Sequence, residues 1–515
     1  MSQRFRVAIL SAEAVPFAKV GGLADVVGAL SRSIAELGCS VALFLPRYAG
    51  LSLPEGGTLE LASTIDVPVR GEDAPALVYA LRGVELNPHL AVYFIGDDRY
   101  FGRPGIYDDP ATGEAFADNA ERFAFYSRAC LEAMRALAFA PEVIHANDHQ
   151  AALVPAYLKT IYAEDPFFQM TASILSIHNM GYQGIYDPDS MAIAGFPARY
   201  FYSLSPFEFW GKMNFLKAGI HFADVITTVS ERYAEEIQSG EEYGFGLQGV
   251  LNARHEDLVG ILNGIDVKIW NPRTDRAIAA RYDAESLESK AVCRAALLDE
   301  AGFPGKPDWP LFGMISRLAE QKGFDLIEAA ADRLFALPAR WVILGSGQKR
   351  YEEFFEALEK RAPDRLRFHK GFDDPRAHRI EAGSDFFLMP SRYEPCGLNQ
   401  MMSMRYGTVP VVRWTGGLAD TVDPYSPGSE GGTGIVFAPY TPEALLGAVE
   451  AALRLYGEPR ALQRVRRSGM IRDFSWEASA RKYLQLYRQA NASRRMGTGY
   501  HKWLTTVQET GPGRA

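Results

Sequence analysis

The sequence predicts an α/β protein of two doubly wound, Rossmann-like domains facing a central cleft, and three observations carry that prediction. The chain has 515 residues, too many for one ordinary core. Short apolar runs alternate with stretches of helical spacing, the pattern of parallel strands joined by right-handed helical crossovers. One eight-residue motif also occurs near both ends, as Val20-Gly-Gly-Leu-Ala-Asp-Val-Val27 and as Thr415-Gly-Gly-Leu-Ala-Asp-Thr-Val422. Each copy reads as strand, glycine turn and helix, where a backbone can come close to a bulky ligand and free N–H groups favour an anion such as phosphate. A lone Gly-Gly is an ordinary tight turn, but two in matching context suggest one nucleotide fold per half.

The first sheet is expected from the runs Val7–Leu10, Val41–Leu45, Leu90–Ile95, Val143–His145, Ser173–Ile177 and Val225–Val229. Between Leu51 and Leu77 the sequence reads as an irregular insertion containing Gly and Pro. Turn chemistry in Ile261-Leu-Asn-Gly-Ile-Asp266 and Trp270-Asn-Pro272 marks a hinge, which sets domains at 1–262 and 263–472. The second sheet is expected from Leu311–Ser316, Trp341–Leu344, Arg367–His369, Phe386–Met389, Val409–Val412 and Gly434–Phe437. A last helix starts near Phe474-Ser-Trp476 and runs toward Gln489, and residues 491–515 read as a loosely held tail where apolar periodicity fades.

Composition narrows the function. Hydrophobic residues make up 47% and charged residues 23%, ordinary for a globular enzyme, and the net charge of −9 argues against nucleic acid or an anionic membrane as partner. Cys39, Cys130, Cys293 and Cys396 are scattered with no C-x-x-C pair, so neither a disulfide framework nor a zinc site is indicated and a cytoplasmic setting fits. The start carries basic residues and an Ala-x-Ala-like stretch, but Val7–Leu10 is too short for the apolar region of a secretory signal, and no run is long enough to span a bilayer.

The densest chemical cluster is Met389-Pro-Ser-Arg-Tyr-Glu-Pro-Cys-Gly-Leu-Asn-Gln400, directly after a predicted strand. Open α/β sheets bind ligands at that edge. Glu394 there can accept hydrogen bonds from sugar hydroxyls, beside the N–H groups of Cys396, Gly397 and Leu398; a helix-capping carboxylate is the plainer alternative. In Ser316-Arg-Leu-Ala-Glu-Gln-Lys-Gly323, Arg317 can grip phosphate through its planar fork and Lys322 adds a point charge, together neutralising a leaving diphosphate without metal. Lys19 precedes the first glycine turn, so its ammonium group is expected beside whatever Gly21 and Gly22 cradle. His178 and Asn179 follow the run Ser173–Ile177, and Asp148 and His149 follow Val143–His145. Asp187-Pro-Asp189 has the form of a metal-binding pair but lies in a turn rather than after a strand, and no carboxylate pair stands out as a glycosidase acid and nucleophile.

Five of these segments, Lys19-Val-Gly-Gly22, Ile177-His-Asn179, Leu262-Asn-Gly-Ile-Asp266, Ser316-Arg317 with Gln321-Lys-Gly323, and Ser391-Arg-Tyr-Glu-Pro-Cys-Gly397, stand in one order over about residues 6–488. In that order and context the chain resembles the bacterial glycogen synthase and plant starch synthase family. The resemblance implies a retaining glycosyltransferase of GT-B type, with a C-terminal helix over 473–490 returning to the first domain. It implies an ADP-glucose donor, a non-reducing 4-hydroxyl of an α-1,4-glucan or maltooligosaccharide as acceptor, and no cofactor. It puts Arg317 and Lys322 on the donor diphosphate, Glu394 on the glucose hydroxyls, His178 near the anomeric centre, and Lys19, Gly21 and Gly22 on the phosphates. Asn263 and Asp148 become sugar-side contacts, while Phe372 and the Gly416-Gly417 turn border the nucleotide and diphosphate. Two positions depart from the family: His149 stands where it usually has Trp, and Phe372 where many relatives have Tyr. The alternatives are a UDP-glucose or different-acceptor enzyme of the same fold, a glucan-binding relative without turnover, and a phosphorylase using pyridoxal phosphate.

Overall fold

The structure is a computed structural model that describes residues 4–303 and 308–497. Every apolar run read above as a strand forms one. Contacts divide the described chain into two compact units: one holds the chain up to Val229, Ala234–Ile261 and the segment from Trp476, the other Ser230–Tyr233 and Leu262–Ser475.

The strands of the first unit are β1 (Arg6–Leu10), β2 (Ser40–Pro46), β3 (Thr58–Val69), β4 (Glu72–Arg82), β5 (Leu90–Gly96), β6 (Val143–Asn147) and β7 (Ala172–Ile177). Then come the short β8 (Ile185–Tyr186), β9 (Glu208–Phe209) and β10 (Lys212–Asn214), followed by β11 (Val225–Thr228) and β12 (Leu258–Gly260). The main sheet has the order β12-β11-β7-β6-β1-β2-β5-β4-β3, and β8-β10-β9 make a separate small antiparallel sheet. All neighbours in the main sheet are parallel except β5-β4 and β4-β3. β1, β6 and β7 are buried almost throughout, as strands covered by helices on both faces must be. Sequence order reverses between β1 and β6, which makes the loops after those two strands the ligand edge of the unit.

The segment read as an irregular insertion is instead the long antiparallel pair β3 and β4. β3 alternates exposed and buried residues toward its end, so its apolar signal is half that of a buried strand, and a register shift between Leu61 and Ser63 breaks the alternation further. Pro68 is tolerated because β3 is the sheet edge, and Pro75 lies outside the Leu77–Ala80 stretch of β4 that pairs with β5.

In the second unit β13 (Leu311–Ile315), β14 (Arg340–Gly345), β15 (Leu366–Lys370), β16 (Phe386–Met389), β17 (Val409–Arg413) and β18 (Ile435–Phe437) form one all-parallel sheet in the order β15-β14-β13-β16-β17-β18. Phe312 stacks on Trp341 and on Phe386 with ring centroids 4.4 and 5.1 Å apart, tying the three central strands through their side chains. The order reverses between β13 and β16. Their following loops are the ligand edge here.

The last helix, Trp476–Met496, packs into the core of the first unit: Trp476, Ala480, Tyr483 and Tyr487 join Val7 and Ile9 in one buried cluster. His145 on β6 bonds Tyr487 Oη at 2.7 Å and Ser176 Oγ at 2.6 Å. The helix passes the expected start of the tail: Asn491 is buried, and its Nδ2 donates to the carbonyls of Glu142 and Met170 at 2.9 and 3.0 Å. Those two bonds replace the apolar contacts whose loss had read as a tail. Residues 498–515, the rest of that expected tail, lie outside the described residues.

Candidate active site

Both reversal points collect the polar residues singled out in the sequence. In the second unit, Glu394 in the loop after β16 is 4% exposed, and an unpaired carboxylate at that depth would be strongly destabilising. Lys322, from the loop after β13, resolves this by donating to Glu394 Oε1 at 2.8 Å and Oε2 at 2.7 Å, and Ser391 Oγ adds a third bond at 2.9 Å. An ammonium group has three donors, so one Lys322 N–H remains for another acceptor. Arg317, Lys322, Ser391, Glu394, Gly397 and Leu398 all line one cavity of about 200 Å³. Arg317 is exposed at its mouth.

Gly397 adopts φ +68°, the left-handed region, which lets the loop turn so that Gln400 Nε2 can donate to the carbonyls of Cys396 and Gly397, both at 3.0 Å. Gln400, fully buried, is a loop-shaping residue that sequence reasoning did not single out. Burial pushes the Cys396 thiol up to about 12, against the lowering effect of hydrogen bonds with Asn263, so it is a packed neutral group. Asn263 is 4% exposed, and its Oδ1 is buried with no hydrogen-bond partner among the described residues. A buried amide oxygen left open in this way can accept a ligand hydroxyl. Phe372 is 78% exposed, an available stacking face beside Gly371.

The duplicated glycine motif turns out to do two different jobs. In the second copy a Cβ on Gly416 would lie 2.0 Å from the carbonyl oxygen of Glu394, and one on Gly417 2.0 Å from that of Cys396. The Gly417 N–H donates to Glu394 O at 3.0 Å. These two glycines therefore let one backbone lie against the Glu394–Cys396 loop, and the Gly417 N–H is taken by it. In the first copy, added Cβ atoms on Gly21 and Gly22 would meet nothing within 4 Å. That copy faces open space.

Two of its N–H groups are taken, however. The N–H groups of Val20 and Gly21 both donate to Glu13 Oε2, the second at 2.9 Å. The helix that follows begins at Gly22, with eleven residues between it and the end of β1, so the expected strand–turn–helix is interrupted by the Ser11–Gly21 loop. Lys19 Nζ pairs with Asp25 Oδ1 at 2.8 Å, both side chains partly exposed.

At the end of β6, Asp148 sits at φ +53° with its carboxylate 2.7 Å from the His178 N–H that donates to it. Burial raises its pKa to about 7, with the Glu13 charge adding to the rise and the His178 and Asn179 N–H groups opposing it. His178 Nε2 lies 2.9 Å from Asn147 Oδ1, and Asn147 Nδ2 donates to Leu10 O at 3.0 Å. With the amide so oriented, Nε2 must be the donor and Nδ1 an open acceptor. Burial lowers His178 to about 4, which keeps it neutral. His149, in the place of the family Trp, bonds Tyr182 O at 3.2 Å and meets the Phe123 ring edge-on. Asp187 pairs instead with Lys212 at 3.6 Å.

Lys19, Gly21, Gly22, Asp148 and His178 thus belong to the first unit, and Asn263, Arg317, Lys322, Phe372, Glu394, Cys396, Gly397, Leu398, Gly416 and Gly417 to the second. Glu13 was missed, for it lies in an apolar stretch, Ser11–Phe17, with no motif to mark it. Only its burial reveals it.

Comparison with known proteins agrees with this division. Residues 6–253 match the family described as starch synthase catalytic domain, and residues 300–468 match glycosyl transferases group 1. The glycogen synthase of Koribacter versatilis strain Ellin345 is 46% identical over 488 residues, covering 95% of this chain and 99% of the relative. That of Thermotoga maritima is 44% identical over 492 residues, with 95% and 99% covered. Among solved structures, the catalytic domain of starch synthase IV from Arabidopsis thaliana bound to ADP and acarbose superposes with a TM-score of 0.85 at 31% identity, covering 95% of this chain and all of that one. Sucrose-phosphate synthase from Thermosynechococcus elongatus, at 20% identity and a TM-score of 0.59, shares the fold.

Proposed function

We propose a specific reaction for this chain, which belongs to the glycogen and starch synthase family of glycosyltransferases: transfer of glucose, with retention, from ADP-glucose to the non-reducing 4-hydroxyl of an α-1,4-glucan, without a metal. The observation that carries it is the Lys322–Glu394–Ser391 set lining the same cavity as Arg317. Breaking the bond from glucose C1 to the diphosphate puts negative charge on a phosphate oxygen and positive charge on the sugar ring. The remaining Lys322 donor and the Arg317 guanidinium stabilise the former, a task for which two fixed cations suffice.

Glu394 is assigned to the glucose hydroxyls and to holding Lys322 in place, not to covalent attack, since both its oxygens already bind the ammonium group. Retention then follows from front-face attack, in which the leaving phosphate oxygen takes the acceptor proton. Asn263 offers its open Oδ1 to the sugar, and Phe372 its exposed ring to the base. Within the first unit, neutral His178 offers an acceptor at Nδ1 to a sugar, Asp148 fixes the His178 backbone, and Lys19 with Gly21 and Gly22 offers an ammonium group and an open face to a phosphate. The ADP bound by the Arabidopsis starch synthase IV supports an adenine donor.

Incubation with ADP-glucose or UDP-glucose and a maltooligosaccharide, reading chain extension and nucleotide release together, tests the reading. Extension with ADP-glucose preferred supports it. A preference for UDP-glucose overturns the donor, and nucleotide release without extension overturns the acceptor.

A further inference from the structure

Glu13 is 3% exposed, yet its carboxylate reaches two separate pieces of chain and its backbone a third. Oε2 accepts from the Val20 and Gly21 N–H groups, and Oε1 accepts from Tyr107 Oη at 2.5 Å. Its own backbone N–H donates to Ser11 Oγ at 3.2 Å, and Ser11 Oγ donates back to Glu13 O at 2.8 Å. The end of β1, the glycine turn and the loop around Tyr107 therefore meet on one residue. That side chain stands close enough to Asp148 for its charge to help raise the Asp148 carboxyl.

We propose that Glu13 is a positioning residue for the Lys19–Gly22 turn: its carboxylate fills the Val20 and Gly21 N–H groups that a ligand phosphate would otherwise take, and so sets how the turn meets the sugar nucleotide. This rests on the reading of the turn as part of the donor site. The Val20 and Gly21 N–H groups are thereby closed to a second anion, which leaves to a ligand of this turn Lys19, the helix start at Gly22 and the open face of Gly21 and Gly22, where an added Cβ meets no atom within 4 Å. The bonds are charge-assisted, of the class that holds backbone most firmly.

The test compares Glu13→Ala, Glu13→Gln and Tyr107→Phe with the parent chain, reading kcat and KM for ADP-glucose, melting temperature, and hydrogen exchange of the peptide covering residues 18–24. Glu13→Ala is expected to lower kcat/KM for ADP-glucose about a hundredfold, the effect of a misplaced contact of about 1 Å, and to speed exchange of the Val20 and Gly21 amides at least about tenfold. Glu13→Gln keeps an acceptor oxygen for both N–H groups and should restore kcat/KM to within about tenfold of the parent. Tyr107→Phe should change exchange in the same direction by less. A Glu13→Ala chain that transfers glucose at the parent rate, or exchanges these amides at the parent rate, overturns the proposal, as does a Glu13→Gln chain no better than Glu13→Ala. A parent chain inactive with every sugar nucleotide sinks the proposed function instead, while the exchange comparison still decides whether Glu13 holds the turn.

Discussion

Replacing Lys322 with alanine separates the two jobs assigned to it, balancing a buried charge and stabilising a leaving group. The change removes two bonds of 2.8 and 2.7 Å from Glu394 and leaves its carboxylate, 4% exposed, with the Ser391 hydroxyl as its donor among the described residues. Orphaning one partner of a fully buried ion pair costs about 3–5 kcal/mol. The Lys322 side chain is 23% exposed, so water reaches the gap and about 2–3 kcal/mol is expected. In a unit of roughly 200 residues each kcal/mol lowers the melting temperature by about 2–4 °C, so the drop should be about 4–12 °C. Loss of a fixed donor aimed at developing charge should lower kcat by about 10²–10³. Adding Glu394→Gln to Lys322→Ala removes the stranded charge, so the double variant should regain most of the melting temperature and none of the activity. Calorimetry and nucleotide release measured on the same preparations decide it. Activity within about threefold of the parent in Lys322→Ala, or its return in the double variant, would refute the reasoning.

The duplicated motif gives a paired test: Gly417→Ala must push a Cβ into the Cys396 carbonyl 2.0 Å away and should prevent stable folding or lower the melting temperature sharply, whereas Gly21→Ala, with open space and φ −137°, should melt like the parent and lose activity only. Equal melting temperatures for the two variants would contradict that assignment. His145, fully buried, is held down at about 3 first by burial and then by His178. Since its folded value lies below the ordinary 6.5, its contribution is complete above pH 6.5 and lost as pH falls from there toward 3, up to roughly 5 kcal/mol. His145→Asn should therefore flatten the fall in melting temperature between pH 6.5 and 4.5, and an unchanged slope would count against it. Asn491→Ala should cost about 2 kcal/mol by stranding the Glu142 and Met170 carbonyls, read by chemical denaturation; no loss would mean that the helix end is not anchored there.

The two sheets were legible because parallel strands covered on both faces are written as unbroken apolar runs, and the polar residues that follow β6, β7, β13 and β16 could be placed at ligand edges from that alone. Lys322 and Glu394 were each visible as candidates, but not their bond, which joins residues 72 positions apart. β3 and β4 escaped because one face of the pair is exposed and a register shift interrupts the period. Asn491 looked like the start of a tail since its anchoring is polar. The glycine copies show the limit most clearly: Val20–Val27 and Thr415–Val422 are nearly the same string, yet one faces open space and the other a neighbouring carbonyl, a difference that lies wholly in what the fold brings beside them.

A structure of the chain with ADP-glucose bound tests the central claim most directly. The account predicts diphosphate oxygens within about 2.7–3.2 Å of Lys322 Nζ and the Arg317 guanidinium, with the glucose against Glu394 and Asn263. A sugar nucleotide bound with those two cations turned away from its phosphates would contradict it.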